Sequence, residues 1–354
     1  MKKYLILSLL LLCGLWIWSC NKSKVTINDR LPISDSTSFY NPIIYSGADP
    51  WVFNKDGWYY FTSTTGNLTL RRTRCMTDLK YAQKKVIWTP PETGMWSNSI
   101  WAPEIHFLEG KWYVYFAADD GDNANLRMYV VENASGDPFQ GEWIMKGQLK
   151  PVTDRWAIDG SVFEDNGKLY FIWSGMAGKE ENIAQNIYIA KMENPWTIQG
   201  DRVLISTPEF DWESKGASAT EPKVNEGPGL LKGKDKLFIT YSASGCWTDD
   251  YCLGMLTADA GSDLLNPASW TKSKEPVLQK SVTEKVFAPG HNGFFKSPDG
   301  TEDWIIFHAN DNSGDGCGDK RRPHIQKIVW RDDGTPDFGK PVSNLTPVKK
   351  PSGE

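Results

Sequence analysis

The chain has 354 residues, a formal net charge of −5 and an aromatic-rich composition with 17 Trp, 13 Tyr and 15 Phe. Hydrophobic residues make up 40% of it, which excludes a disordered protein because ample apolar surface can be buried. Six Cys in a chain of this length exclude a small scaffold held together by disulfides. The sequence contains no basic stripe that would follow a phosphate backbone, so a nucleic-acid partner is not expected.

The N-terminus is typical of an exported protein. Two Lys precede an apolar run from Tyr4 to Trp18 that is short for a membrane span. The run ends at Cys20, and its last residues, IWSC, resemble the cleavage box of a bacterial lipoprotein. Residues 1–20 are therefore predicted to be a signal peptide that ends at a lipidated Cys20. A plain secretory signal and an uncleaved anchor are the alternatives.

The segment after the signal peptide is predicted to be a flexible tether. Residues 21–40 are rich in Lys, Ser, Thr, Asn and Asp and have little periodicity. Asn21, rather than Asp, follows Cys20, which in lipoproteins indicates the outer membrane, on its periplasmic or its surface face. We therefore expect a monomer that contacts the membrane only through its lipid.

Two of the remaining Cys suggest a local disulfide. Cys246 and Cys252 flank a short stretch of five residues, and an exported protein permits disulfides. We predict that this pair staples one loop; the alternative is that both thiols are free and buried.

Five segments of the chain share one pattern. Each has a small or Pro-containing start, one polar residue, an apolar run, a turn and a second apolar and aromatic run. Turns such as Asp56-Gly57 and Asn166-Gly167 are typical of β-hairpins, and the flanking runs are rich in strand-forming residues. The polar positions that begin the five segments are Asp49, Glu104, Asp159, Glu226 and His291.

The stretches between these hairpins contain further short strands. Leu126–Val131 and Asn186–Met192 are two of them, and no segment has the pattern of a long amphipathic helix. Five units of about four short strands each predict an all-β fold, a five-bladed β-propeller. Residues 41–354 are expected to form this single domain.

The five starting positions indicate chemistry at the mouth of the propeller's channel, where the innermost strands begin. An isolated Asp at a strand start usually only binds a turn, but four carboxylates and one imidazole at related positions are hard to explain by packing. Clustered carboxylates separate their pKa values, and glycoside hydrolysis needs one protonated and one ionised carboxyl group. Three Trp close to these positions are predicted to stack on sugar faces, with core packing as the alternative; they are Trp51, Trp101 and Trp156.

The motifs around these positions resemble glycoside hydrolase family 43. The resembling segments are GADP at 47–50, WAPE at 101–104, IDG at 158–160, NEGP at 225–228 and GHN at 290–292. The resemblance runs from about Asn41 to the C-terminus and implies a five-bladed propeller that hydrolyses with inversion and needs no cofactor. It implies that Asp49 is the general base, Glu226 the general acid, and Asp159 the residue that tunes and orients the acid. Glu221 is a rival for the acid, but the Glu-Gly-Pro context favours Glu226.

The resemblance also implies residues that bind the substrate. Glu104 and His291 belong to this set, and His291 is a candidate for holding a structural calcium ion in the channel, with a neutral, hydrogen-bonded His as the alternative. The family's Arg in blade five corresponds to Arg321, with Arg322 as its rival.

The blade-five segment resembles the exo-acting α-L-arabinofuranosidases of the family most. The leading hypothesis is therefore removal of terminal arabinofuranose from arabinan or arabinose-decorated polysaccharides and oligosaccharides of the plant cell wall. Endo-arabinanase, β-xylosidase and exo-β-1,3-galactanase activities are alternatives. A surface lipoprotein that binds glycans without turnover is an alternative of another class.

Overall fold

The structure is a computed structural model that describes residues 36–178 and 184–354. The predicted signal peptide, the lipidated Cys20 and most of the predicted tether lie outside the described residues. Within the described ranges, no helix is both long enough and apolar enough to cross a membrane.

Tight hairpin turns form where the sequence predicted them. Asp56 and Gly57 have φ angles of 53° and 71°, and Asn166 and Gly167 have 49° and 69°. Two consecutive residues with positive φ give the turn whose twist matches that of paired strands, and Asn, Asp and Gly reach this region at low cost. Each of these turns therefore fixes the register of the hairpin around it.

In the described part of the chain, the strands form five antiparallel sheets that follow one another in sequence. The first four sheets have four strands each, and the fifth has three. The prediction of an all-β, five-bladed β-propeller is confirmed. The strands of blades one and two are β2 (Trp51–Lys55), β3 (Trp58–Thr62), β4 (Leu68–Thr73), β5 (Gln83–Trp88), β6 (Asn98–Leu108), β7 (Lys111–Asp119), β8 (Arg127–Asn133) and β9 (Ile144–Gln148).

The other blades have the same order from the inside outwards. Their strands are β10 (Ala157–Asp165), β11 (Lys168–Met176), β12 (Gln185–Asn194) and β13 (Thr197–Ser206) in blade three, β14 (Asn225–Lys232), β15 (Lys236–Ala243), β16 (Cys252–Asp259) and β17 (Thr271–Lys272) in blade four, and β18 (Phe287–Lys296), β19 (Asp303–Asn310) and β20 (Arg322–Lys327) in blade five. Two further sheets have two strands each. One pairs β1 (Ser38–Phe39) with β23 (Val348–Lys349), and the other pairs β21 (Val329–Trp330) with β22 (Pro336–Asp337). Short 3-10 helices span Met76–Tyr81, Asn123–Asn125, Asp211–Glu213 and Pro267–Ser269.

The apolar core lies between the blades. Within the described residues, each of the five interfaces between neighbouring blades has its own cluster of buried side chains. Trp112 of blade two packs against Tyr60 of blade one, with ring centroids 4.7 Å apart, and Trp304 of blade five packs in the cluster that also holds Val52 of blade one. Many of the aromatic side chains therefore pack in the interfaces between neighbouring blades.

The packed domain begins earlier than the sequence indicated. Residues 38–39, assigned above to the tether, pair with Val348–Lys349, and Phe39 is buried against Trp304. The predicted end of the tether at residue 40 is therefore wrong, because an apolar side chain at 39 fills the interface where the ring closes.

Candidate active site

The inner strands of blades two to five are irregular near their starts. In blade three, the pairing of β10 with β11 skips Asp159 and Gly160, and β6 and β14 have the same two-residue irregularity. The first skipped residue in each of these three strands takes a positive φ, as the first residue of a G1 bulge does. The residues at this position, with that preceding β2 and the one skipped in β18, are Asp49 (φ 56°), Ala102 (44°), Asp159 (56°), Gly227 (54°) and His291 (47°).

This register corrects the predicted alignment of the repeats. Asp49, Asp159 and His291 do occupy equivalent positions. Glu104 lies two residues beyond the equivalent Ala102, and Glu226 lies one residue before the equivalent Gly227. The carboxylate lies at a different offset from the bulge in these two strands, so counting along the sequence placed Glu104 and Glu226 wrongly.

A cavity of about 810 Å³ opens over these bulges. It brings together seven of the predicted residues: Asp49, Trp101, Trp156, Asp159, Glu226, His291 and Arg321. Two predicted binding residues do not line it. Trp51 donates from its indole N–H to the carbonyl oxygen of Ile105 at 2.9 Å and packs in the interface between blades one and two, so the packing alternative describes it. Glu104 is buried beside His106, 3.0 Å from its Nε2.

Asp49 is held as a carboxylate. Arg321 donates from Nη1 to one carboxylate oxygen at 2.9 Å, and the Thr64 hydroxyl donates to the other at 2.7 Å. Burial alone would raise the pKa of Asp49, but the Arg321 guanidinium brings it well below its usual range. Burial lowers the pKa of the neighbouring His291 and His308; they are therefore neutral near pH 7, and Arg321 supplies the positive charge.

The surroundings of Glu226 raise its pKa, in contrast to those of Asp49. Its pKa is raised to about 7, because burial and the nearby Asp49 carboxylate raise it more than the Tyr251 hydroxyl and Arg321 lower it. The Tyr251 hydroxyl donates to Oε1 of Glu226 at 2.8 Å. A carboxyl group with this pKa carries its proton in a large fraction of molecules at neutral pH.

Asp159 lies next to both of these groups. Its Oδ2 accepts a hydrogen bond from the main-chain N–H of Gly227 at 3.1 Å, so it fixes the peptide that directly follows Glu226. Burial raises the pKa of Asp159 well above its usual range, and the charges of Glu226 and Asp49 raise it further.

The calcium ion predicted at His291 stays a prediction. Nδ1 of His291 lies 3.4 Å from Oδ1 of Asp49 and 3.8 Å from Oδ2 of Asp159. Among residues 36–178 and 184–354, no group of three or more His, Cys, Asp or Glu is arranged to hold a metal ion.

The rival residues are separated by their positions. Arg321 lines the cavity, whereas Arg322 binds Asp311. Glu221 also lines the cavity, but it is exposed and lies in the loop before β14, whereas Glu226 is on the inner strand beside Asp159.

The predicted disulfide between Cys246 and Cys252 is wrong. Cys246 is bonded to Cys317, with 5.2 Å between the Cα atoms, and Cys252 is a buried free thiol. Cys252 belongs to β16, where it pairs with Ala243, and its side chain packs in the apolar cluster between blades three and four. The bond links the turn after β15 to the loop after β19, and both Cys line the cavity.

Several residues of the site have no motif that marks them in the sequence. Thr64 and Tyr251 bind the two central carboxylates, His308 accepts the main-chain N–H of Asp49 at 3.1 Å, and Trp247 lies on the cavity wall. Tyr251 and Trp247 do fall in the stretch flanked by two Cys, which was the available signal.

The fold and this cavity define a class of protein. A buried carboxylate held ionised and a second carboxyl group with a raised pKa, in one cavity of suitable size for sugars, are the pair that acid–base hydrolysis of glycosides requires. The geometry is therefore that of a glycoside hydrolase built on a five-bladed propeller.

Comparison with known proteins identifies the family. A sequence model described as "Glycosyl hydrolases family 43" matches residues 39–336, and the chain belongs to this family of inverting glycoside hydrolases. It is 44% identical over 329 residues to an extracellular exo-α-(1→5)-L-arabinofuranosidase of Streptomyces avermitilis, covering 90% of this chain and 67% of the relative. It is 41% identical over 277 residues to an enzyme of the same name from Streptomyces chartreusis, covering 77% and 82%.

A solved structure gives the same result. The crystal structure of an α-L-arabinofuranosidase from Lactobacillus brevis superposes with a TM-score of 0.80 at 39% identity, covering 86% of this chain and 98% of that one.

Proposed function

We propose that the protein is an exo-acting α-L-arabinofuranosidase that removes terminal arabinofuranose from arabinan or arabinose-decorated plant polysaccharides. The observation that carries the proposal is the pair formed by ionised Asp49 and protonatable Glu226 in one cavity. The choice of sugar is supported by the relatives, whose names state an exo-α-(1→5)-L-arabinofuranosidase activity.

Asp49 is proposed as the general base. It accepts a proton from a water molecule, whose oxygen attacks the anomeric carbon of the terminal sugar from the face opposite to the leaving group. Arg321 and Thr64 keep this carboxylate ionised and oriented. Because attack comes from the opposite face, the released sugar has the inverted anomeric configuration.

Glu226 is proposed as the general acid. It donates its proton to the glycosidic oxygen as the bond from that oxygen to the anomeric carbon breaks. The cycle ends with a proton on Asp49 and a charge on Glu226, and exchange with solvent restores both. Since the acid must be protonated and its pKa is about 7, activity falls as the pH rises past this value.

Asp159 is proposed as a positioning residue for the acid. Its hydrogen bond to the N–H of Gly227 fixes the backbone next to Glu226, and its negative charge, when present, disfavours ionisation of the acid. No step of the proposed reaction uses a metal ion or a cofactor.

The location of the protein is part of the proposal. The names of the relatives describe extracellular enzymes, and the signal-like N-terminus of this chain supports export. We propose a monomeric lipoprotein of the outer membrane, anchored through Cys20.

Product analysis with debranched arabinan tests the function. The expected product is arabinose alone, released first as the β-anomer in a proton NMR time course. Glu226→Gln should lower kcat on arabinan about 10³-fold, since loss of a general acid typically costs 10²–10⁴-fold, whereas the neighbouring carboxylate variant Glu221→Gln should retain most activity.

Other outcomes would replace the proposal. Arabino-oligosaccharides as the first products indicate an endo-arabinanase, and release of xylose or galactose from the matching substrates indicates the other activities of the family. Binding of arabinan without any released sugar indicates a glycan-binding lipoprotein.

A further inference from the structure

One exposed aromatic side chain on the cavity wall has no part in the chemistry described above. Trp247 lines the cavity, and 38% of its surface is exposed, whereas the carboxylates of Asp49 and Asp159 at the bottom are buried. Trp247 therefore lies towards the mouth. A ligand that enters the cavity can therefore cover its exposed surface.

The ring of Trp247 is fixed by backbone on one side. It lies against Gly245 and Gly216, where an added Cβ would come within 2.2 Å and 2.6 Å of indole atoms. Its N–H donates to the carbonyl oxygen of Gly216 at 3.2 Å. Only glycine at both places allows this contact, so the indole has one orientation.

The turn that carries Trp247 is tied to the neighbouring blade. Cys246, the preceding residue, is bonded to Cys317, and Asp249 accepts hydrogen bonds from the Ser313 hydroxyl and from the N–H of Gly314. A ring held in this way loses little side-chain entropy when a ligand covers it.

The same turn reaches the proposed acid. Tyr251, four residues after Trp247, donates to Glu226, so blade four supplies both the acid and the wall above it. In an inverting hydrolase the acid stands on the side of the leaving group. A terminal sugar bound at the bottom of the cavity, with its chain leading outwards, thus brings the next sugar towards this wall.

We propose that Trp247 is a stacking platform for the sugar of the leaving group, and that it gives the enzyme a preference for chains over single terminal residues. The proposal rests on the function proposed above and adds a residue that determines substrate specificity. Sugar rings present C–H faces that pack on indole, and Trp provides the largest such surface.

The test compares two substrates that differ in the leaving group. α-(1→5)-Linked L-arabinotriose, with the linkage named for the relatives, has a sugar there, and α-L-arabinofuranosyl fluoride has a single atom. For Trp247→Ala, the ratio of kcat/KM on arabinotriose to kcat/KM on the fluoride should fall about tenfold. Trp247→Phe, which keeps a ring, should recover most of the ratio. Tyr81→Ala, which removes an exposed aromatic outside the cavity, is the matched control and should not change it.

Two results would overturn the platform. One is an equal loss on both substrates, which indicates a structural role for the turn; the other is an unchanged ratio in Trp247→Ala. Binding separates this from the proposed function: in the Glu226→Gln background, calorimetry should give an arabinotriose Kd about tenfold weaker when Trp247→Ala is added. That difference is expected even if the wild-type protein releases no arabinose, and equal Kd values would refute the platform.

Discussion

At the level of single residues, Asp49 and Glu226 differ through their surroundings rather than through their chemistry. Both are removed from bulk water, which raises the pKa of a carboxyl group. Asp49 has a guanidinium at 2.9 Å that outweighs this effect, whereas the partner of Glu226 is the neutral Tyr251. One Arg therefore separates the two groups into a base and an acid.

Replacing this Arg tests the separation. In Arg321→Gln the pKa of Asp49 should rise, because the largest opposing charge is lost, and the acidic limb of the kcat/KM profile should move up by about one to three pH units. The base works when ionised, so the loss of activity should be greater near pH 4 than at pH 6 to 7. Stopped assays across the pH range measure this.

Arg322→Gln is the matched control for that experiment. It removes an adjacent guanidinium that binds Asp311 and should leave the acidic limb in place. An Arg321→Gln profile that is only scaled down, with no displaced limb, would contradict the role of Arg321 as the charge that keeps Asp49 ionised.

The sequence predicted part of this site for physical reasons that can be named. Asp49, Asp159 and His291 could be predicted because each lies at the start of a repeated hairpin. Trp51 was assigned to the substrate because it is two residues from Asp49, but Asp49 precedes β2 and has a positive φ, so the spacing does not place both side chains on one face. The Trp51 indole packs between two blades. Thr64 acts through a contact across 15 positions that no local pattern encodes.

At the level of elements, the bulges decide which side chains enter the cavity. The N–H of four of the five bulge positions donates to a side chain of the preceding blade. The pairs are Asp49 with His308, Ala102 with Thr64, Gly227 with Asp159, and His291 with Ser242. Hairpins and turns were predictable because their residues are neighbours in sequence. The position of a bulge was not predictable, because it depends on how the second strand pairs.

The disulfide also acts between structural elements, because it joins two loops that the blades bring together. It closes a segment with a sequence separation of 71 residues, for which chain entropy gives a contribution of about 4 kcal/mol to stability. The double variant Cys246→Ser/Cys317→Ser should unfold at lower urea concentration. Because Cys246 adjoins Trp247 and Cys317 shares a loop with Arg321, its kcat/KM on arabinotriose should fall as well.

Cys75→Ser is the control, since it removes a free, partly exposed thiol far from the cavity. Its urea midpoint and activity should stay close to those of the wild type. If the double variant matches the control in both measurements, the cross-link has no role in holding the two loops.

At the level of the whole molecule, closure of the ring buries groups that titrate. The chain has four His, and the structure buries all of them. Burial lowers the pKa of each one, whereas it raises the pKa of Glu104, Asp159 and Glu226. The two shifts have opposite consequences for stability. As the pH falls below about 6.5, the unfolded chain gains protons on His that the folded protein does not, which destabilises the fold. The raised pKa values of the carboxyl groups stabilise the fold as the pH falls, and this contribution is complete below about pH 4, where the unfolded chain is protonated too.

His324 shows how one buried histidine contributes to the pH dependence of stability. Its ring stacks on Phe307, and neither ring nitrogen has a hydrogen-bond partner among the residues that the structure describes. Burial and the nearby charge of Arg322 together lower its pKa to about 3. The folded pKa is below the unfolded one, so the stability that depends on a neutral ring is complete above about pH 6.5 and is lost as the pH falls towards 3.

His324→Leu should therefore lose less stability on acidification than the wild type. Between pH 8 and pH 5 the difference should reach about 2 kcal/mol, because the unfolded wild type binds a proton there that the folded protein does not. Urea unfolding at both pH values measures it. Phe307→Leu disturbs the same stacked pair without removing a titratable group, so it should lower the free energy of unfolding equally at the two values. Parallel pH dependence of the wild type and His324→Leu would mean that the ring already carries its proton, or finds a partner, inside the fold.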